Sequence, residues 1–267
     1  MKTLASICGS VALVLLFMGG NALAQQQPPR PAGREDMWTD LAGKSMVSAG
    51  TRYIVPKDYR PLGLDFQGMK AFLGLAPDQA EVPIGKSGHV VALPMPEGGF
   101  QHFRVVYSAC MEAPLAKMFP QIRTYAGQGI EDPSAYLRMD ATPQGFHAMV
   151  LRSGKSTVYI DPFSAGDTHL YQAYLRKGFV TDKVMDCRFE GFAGGMDAPE
   201  KGDGAQQRLF GDCQLRTYRL ALSATGEYTA FHGGTVALAQ AAQVTTINRV
   251  NAIYEREMAV HLNIIAN

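Results

Sequence analysis

The chain has 267 residues, a formal net charge of +1, 46% hydrophobic and 18% charged residues. That length supports one or two domains with a real core, and the composition excludes disordered and fibrous classes. Near-neutral charge gives no electrostatic footprint for a polyanion, so no nucleic-acid partner is expected.

At the N-terminus, Lys2 precedes an apolar run at 4–20, followed by Ala22-Leu23-Ala24 and a glutamine cluster. A short basic start, an apolar segment and an A-x-A site predict a secretory signal peptide over 1–24, cut between Ala24 and Gln25. Cys8, Gly9 and Ser10 interrupt the run, which argues against a retained anchor. The expected localisation is secreted or periplasmic, with no membrane association after cleavage. Elsewhere no stretch approaches the roughly 18 apolar residues of a span. Residues 25–48 read as a flexible mature N-terminus.

Residues 49–190 read as a β-rich domain. After a short helical start around 35–45, an extended piece leads to a helix over about 64–74, capped by Asp65 and carrying Phe66, Met69, Phe72 and Leu73 on one face. The run 89–109 holds two aromatic and β-branched segments around Pro-Glu-Gly-Gly, which is a hairpin signal. A brief helix at 113–120 ends at Pro120. Strand-like runs follow at 121–126, 135–140, 146–152 and 157–161, with turns at Asp132-Pro133, Thr142-Pro143 and Ser153-Gly154. Short strands at this spacing predict an antiparallel sheet.

Residues 191–212, rich in Gly and polar side chains, read as a linker. The last part, 213–267, changes character: a strand at 215–225, a long helix at 233–257 with Val236, Ala239, Val244, Ile247, Val250 and Tyr254 on its apolar face, and a strand at 258–266. A strand, a helix and a strand in this order predict a β-α-β unit with parallel strands. The fold class is therefore α+β: a β-rich antiparallel domain followed by a small α/β segment.

Once Cys8 leaves with the signal peptide, Cys110, Cys187 and Cys213 remain. In an oxidising compartment the simplest count is one disulfide and one spare thiol. The flexible segment between Cys187 and Cys213 favours that pair, and closing its loop contributes on the order of 3–4 kcal/mol. Cys110, at the end of an apolar strand, reads as a buried small hydrophobe.

The near-motifs carry little chemistry. "IGKSG" (84–88) and "SGKS" (153–156) lack the first glycine of a phosphate loop, since Ala80 and Met149 stand there, and neither opens a helix. The six histidines include no H-E-x-x-H, and G-x-S-x-G is absent. His147 and His261 alternate with apolar residues and read as half-buried strand positions. Asp161, Asp167 and His169 cluster in sequence, but read as a strand end, a Pro turn and a loop. No catalytic or metal-binding residue is assigned, and no cofactor is expected in this chain.

"LRTYRLALSATGEYTAFHGGT" (215–235) and "NRVNAIYEREMAVHLNIIAN" (248–267) resemble the opening of a metzincin metallopeptidase domain of the reprolysin-like (adamalysin) type. "QGFHAMVLRSGKSTVYIDPFSAGDTHLYQAY" (144–174) is similar to the β-rich prodomain of such enzymes. The resemblance implies a signal peptide, a prodomain over 49–190 and the start of a catalytic domain over 213–267, its metzincin-like fold incomplete. It implies zinc for the full-length family, whose zinc helix lies further on, so this chain is expected to be a truncated and inactive form. The implied partner is the missing catalytic half or a related peptidase domain, for which the prodomain serves folding and latency. The resemblance also offers Cys187 as an inhibitory zinc-switch thiol, a role that excludes the Cys187–Cys213 disulfide. The other reading is a free-standing secreted β-rich binding or protease-inhibitor module.

Overall fold

The computed structural model describes residues 34–180 and 214–266. The helical start expected around 35–45 is a single 3-10 turn, Glu35–Met37, which runs into β1 (Trp38–Asp40). Met37 and Trp38 are buried, and β1 pairs with β2 (Arg60–Leu64), so tertiary pairing overrides the local helical signal. α1 (Phe66–Leu73) forms as its pattern predicts. Asp65 accepts the Gly68 N–H as N-cap, and Phe66, Met69 and Leu73 are buried.

β3 (Val90–Pro94) and β4 (Phe100–Tyr107) make the expected hairpin, with Gly98 and Gly99 at positive φ in its turn. After α2 (Ala113–Met118) come β5 (Arg123–Gly129), β6 (Tyr136–Thr142), β7 (Gly145–Leu151), β8 (Val158–Pro162) and β9 (Leu170–Leu175). β9 falls in a stretch whose sequence, Leu-Tyr-Gln-Ala-Tyr-Leu, lacks β-branched residues. Its strand character comes from its place between β8 and β2.

These nine strands form one antiparallel sheet in the order β1-β2-β9-β8-β7-β6-β5-β4-β3. The sheet coils until its ends approach: Trp38 Nε1 donates to the Ala92 carbonyl at 3.1 Å, and Arg60 Nη1 donates to the carbonyls of Met95 (3.1 Å) and Gly99 (2.8 Å). The enclosed face and α1 share a core that includes Leu62, Phe103, Leu137, Phe146, Ile160 and Tyr171.

The last described segment holds β10 (Arg216–Leu220), α3 (Gly226–Phe231), α4 (Val236–Met258) and β11 (Val260–Ile264), and β10 and β11 are parallel, as the β-α-β pattern predicts. Thr225 and Thr235 cap the two helices. Ala259, at φ 52°, turns the chain from α4 into β11. On its other edge β11 meets the chain before α2: Glu112 N–H donates to the Ile264 carbonyl at 2.9 Å, and Ile264 N–H to the Cys110 carbonyl at 2.8 Å. α4 rests chiefly on β6. Cys110, Met111, Leu115, Ile122, Val244, Ile247 and Ile264 form a second apolar cluster there. Two residues of the expected helix face, Val236 and Tyr254, are exposed instead. Among the described residues no helix is long and apolar enough to cross a membrane.

The β6–β7 turn depends on Gly145, at φ +120°, where a Cβ would stand 2.9 Å from Pro162 Cγ and 3.2 Å from the Tyr171 hydroxyl. Gly145→Ala is expected to cost about 1–3 kcal/mol through backbone strain and the clash, read as a lowered urea midpoint. Gly154→Ala, at φ +65° with open space around it, should cost only about 1 kcal/mol.

Candidate functional site

The two faces of the sheet differ in kind. One is apolar and closes on α1. The other carries a row of polar residues across the strands. Register sets Thr124 opposite Asp140, Asp140 opposite His147, and Asp161 opposite Gln172. One step beyond the pair Ala148–Ile160 brings His147 beside Asp161. Opposed residues point to the same face, so the row runs unbroken from β5 to β9. Asp140 and Asp161 are each 1% exposed and Gln172 is 0% exposed.

α4 supplies the partners these groups need. Thr245 Oγ1 donates to Asp140 Oδ1 at 2.9 Å, and His147 Nδ1 sits 2.8 Å from the same oxygen. One helical turn on, Arg249 pairs with Asp161, whose other oxygen accepts the Tyr174 hydroxyl at 2.8 Å. Asn248 Nδ2 donates to the Met139 carbonyl at 2.9 Å. Burial works against the charge on Arg249, but Asp161, Tyr174 and Asp140 outweigh it and raise its pKa. Burial and the Asp161 charge push the Tyr174 phenol well up.

A second cluster lies where α4 meets β11. Glu255 pairs with Arg138, accepts the Tyr136 hydroxyl at 2.5 Å, and holds His261 Nδ1 at 2.6 Å. Arg138 Nη1 donates to Ser108 Oγ at 2.7 Å, and His261 Nε2 lies 3.1 Å from the Ala109 carbonyl. Burial pushes the Glu255 carboxyl up, yet His261 and Arg138 more than offset it and bring it down to about 2. Beside it Cys110 is a buried free thiol, raised by burial, with its sulfur 3.5 Å from both Asn248 Oδ1 and Asn251 Nδ2.

Above the polar row the sheet and α4 leave a cleft of about 500 Å³, lined among others by Tyr53, His147, Phe163, Phe231, His232 and Arg249. Its walls are tied down. Gln172 accepts from Arg52 Nη2 at 3.0 Å and donates to the Ile54 carbonyl at 3.0 Å, which fixes the extended stretch bearing Tyr53. The Arg52 guanidinium lies 3.8 Å over the Phe163 ring. Gln144 Nε2 reaches the His232 carbonyl at 3.1 Å, and the Tyr53 and Phe231 rings lie 4.6 Å apart.

Of the sequence cluster Asp161, Asp167 and His169, only Asp161 joins this site. Asp167 Oδ1 accepts the backbone N–H groups of His169 and Leu170, each at 2.9 Å, and so caps the loop into β9. His147 and His261 are strand residues as expected, though each is committed to a buried carboxylate. Among the described residues no group of three or more His, Cys, Asp or Glu is placed to hold a metal ion, and His102, His147 and His261 each direct Nδ1 at a carboxylate. The residues described do not compose a zinc site. Cys187, Cys213, Ala24 and Gln25 lie outside the described residues. Sequence reading missed Asp140, Gln172, Thr245 and Arg249. The one signal for them is the i, i+4 pair Thr245 and Arg249 in a helix otherwise rich in Ala and Val.

Residues 214–267, which span β10 to β11, match the family model described as metallo-peptidase family M12B, reprolysin-like. This is the last fifth of the chain, and it is similar there to a family of zinc-dependent peptidases. No curated protein and no solved structure matches the chain.

The Glu255 cluster sets an acid limit. A carboxyl lowered from 4.5 to about 2 contributes its full stability above pH 4.5 and loses it as pH falls toward 2. The urea midpoint of the protein should therefore drop across that window, and Glu255→Gln should flatten the drop. Arg138→Ala, which takes the guanidinium from the Glu255 carboxylate and leaves it only Tyr136 and His261, is expected to cost about 3 kcal/mol at neutral pH.

Proposed function

We propose that the chain is the exported N-terminal portion of a reprolysin-like zinc metallopeptidase. In this reading 1–24 is a signal peptide, 49–190 a prodomain, 191–212 a linker, and 213–267 the first strand, helix and strand of the peptidase domain. The prodomain assists folding and maintains latency by holding that opening unit. The observation that carries the reading is the seating of α4, the long helix of the family-matched segment, on the sheet through Asp140–Thr245, Asp161–Arg249 and Arg138–Glu255. Buried charge pairs of this kind fix one placement of a helix, because any shift leaves a desolvated charge without its partner. A prodomain needs that property: it must hold one particular element in one particular position.

The 267 residues contain no H-E-x-x-H, and so lack the paired histidines and general-base glutamate with which the family binds zinc and activates water. This chain by itself is therefore proposed to be inactive, with its partner a peptidase catalytic half. Cys187 is left as either a switch thiol or the mate of Cys213. A free-standing secreted β-rich binding or protease-inhibitor module is the second reading, and the cleft above the polar row favours it.

Five measurements test the proposal. The exported protein should begin at Gln25 and neither hydrolyse casein nor retain stoichiometric zinc after dialysis. When a protease site placed within 191–212 is cut, the two halves should co-elute on gel filtration at pH 7, and separation would contradict the holding role. Thiol labelling without reductant should modify Cys187 if it is a switch, and leave it unmodified if it is bonded to Cys213.

A further inference from the structure

We propose that the cleft between the sheet and α4 is a binding site for a short apolar peptide, gripped by the main chain of one residue. That residue's N–H donates to His147 Nε2, and its own carbonyl accepts from Arg249. This site goes beyond the reading above and stands or falls apart from it.

The floor of the cleft determines the ligand chemistry. His147 Nδ1 lies 2.8 Å from Asp140 Oδ1, so the ring in its neutral form carries its proton there and its lone pair on Nε2, which has no hydrogen-bond partner among the described residues. Arg249 commits Nη2 to Asp161 and lies 5.2 Å from the Tyr159 ring centroid, leaving Nε and Nη1 without a hydrogen-bond partner among the described residues. The site thus offers one acceptor and a fork of donors.

Charge then decides between ligand classes. Two carboxylates, Asp140 and Asp161, surround one guanidinium, so a carboxylate ligand would add negative charge to a floor already in excess. A cationic ligand would meet the guanidinium itself. A neutral ligand with one donor and one acceptor on the same side suits both, and the N–H and C=O of one residue in an extended peptide are such a pair. The walls select what flanks it. Tyr53, Phe163 and Phe231 present aromatic surface, and about 500 Å³ lies in the range of sites that take a small ligand. Because Asp140, Asp161 and Gln172 fix the donors and the wall beforehand, little ordering remains to be done when the ligand enters.

The test is calorimetric titration of the full chain with N-acetyl-phenylalanyl-leucine amide, with an analogue in which an ester replaces the phenylalanyl-leucine amide, and with N-acetylphenylalanine as the free acid. Saturable one-to-one binding of the amide, at least ten-fold tighter than either comparator, is expected. Phe231→Ala alters an exposed ring and leaves the floor intact, so it should weaken binding ten-fold with an unchanged melting temperature. His147→Phe should remove the preference for amide over ester. No saturation at millimolar amide, equal binding of the ester or the acid, or full affinity in Phe231→Ala would each overturn the proposal.

Discussion

Two buried carboxylates on one face of a sheet govern the rest of this structure. Asp140 and Asp161 are almost wholly removed from water, and a carboxylate in that position costs several kcal/mol unless it is paired and hydrogen-bonded. The sheet supplies part of what they need, through His147 and Tyr174. The remainder comes from Thr245 and Arg249, one turn apart on α4. The helix therefore does more than cover the sheet. It completes the charge balance of a face that would be poorly satisfied without it, and the same logic repeats at Arg138 and Glu255 one and a half turns later. An apolar interface tolerates sliding, whereas three charge or hydrogen-bond pairs at fixed spacing along a helix define both its rotation and its register.

That constraint also shapes the cleft. A side chain held by a buried partner loses little freedom when a ligand arrives, and His147 and Arg249 are both held in this way. Gln172 extends the arrangement outward: it belongs to the polar row, yet its amide fixes the backbone at Ile54 and, through Arg52, the ring of Phe163. The polar row and the aromatic walls are thus one connected system, in which interface and site draw on the same residues.

Much of the architecture was legible in the sequence. The Asp65 cap, the Pro-Glu-Gly-Gly hairpin, the tight turns between strands and the closing β-α-β pattern each rest on local chemistry that tertiary structure left undisturbed. What failed to show was set by distant pairing. β1 takes its form from β2, and β9 from lying between β8 and β2. The candidate site was harder still. Asp140, His147, Asp161 and Gln172 stand on four successive strands and share no local motif. Only the register of three ladders turns them into a row, and no motif spacing encodes that register.

The buried face of α4 shows why periodicity gave a partial answer. Its inward positions include Thr245, Asn248 and Asn251 beside Ala241, Val244 and Ile247, and Val236 and Tyr254 face out. A helix that packs on an apolar layer advertises its inner face by hydrophobicity. Here the opposing layer is itself polar, so the inner face carries groups chosen to match it: Asn248 answers a strand carbonyl, Asn251 the backbone of Leu262, and Arg249 a buried carboxylate. Complementarity of this kind leaves in one helix alone no more than a polar pair such as Thr245 and Arg249. It belongs to the pair, and it becomes visible only when both surfaces are in place.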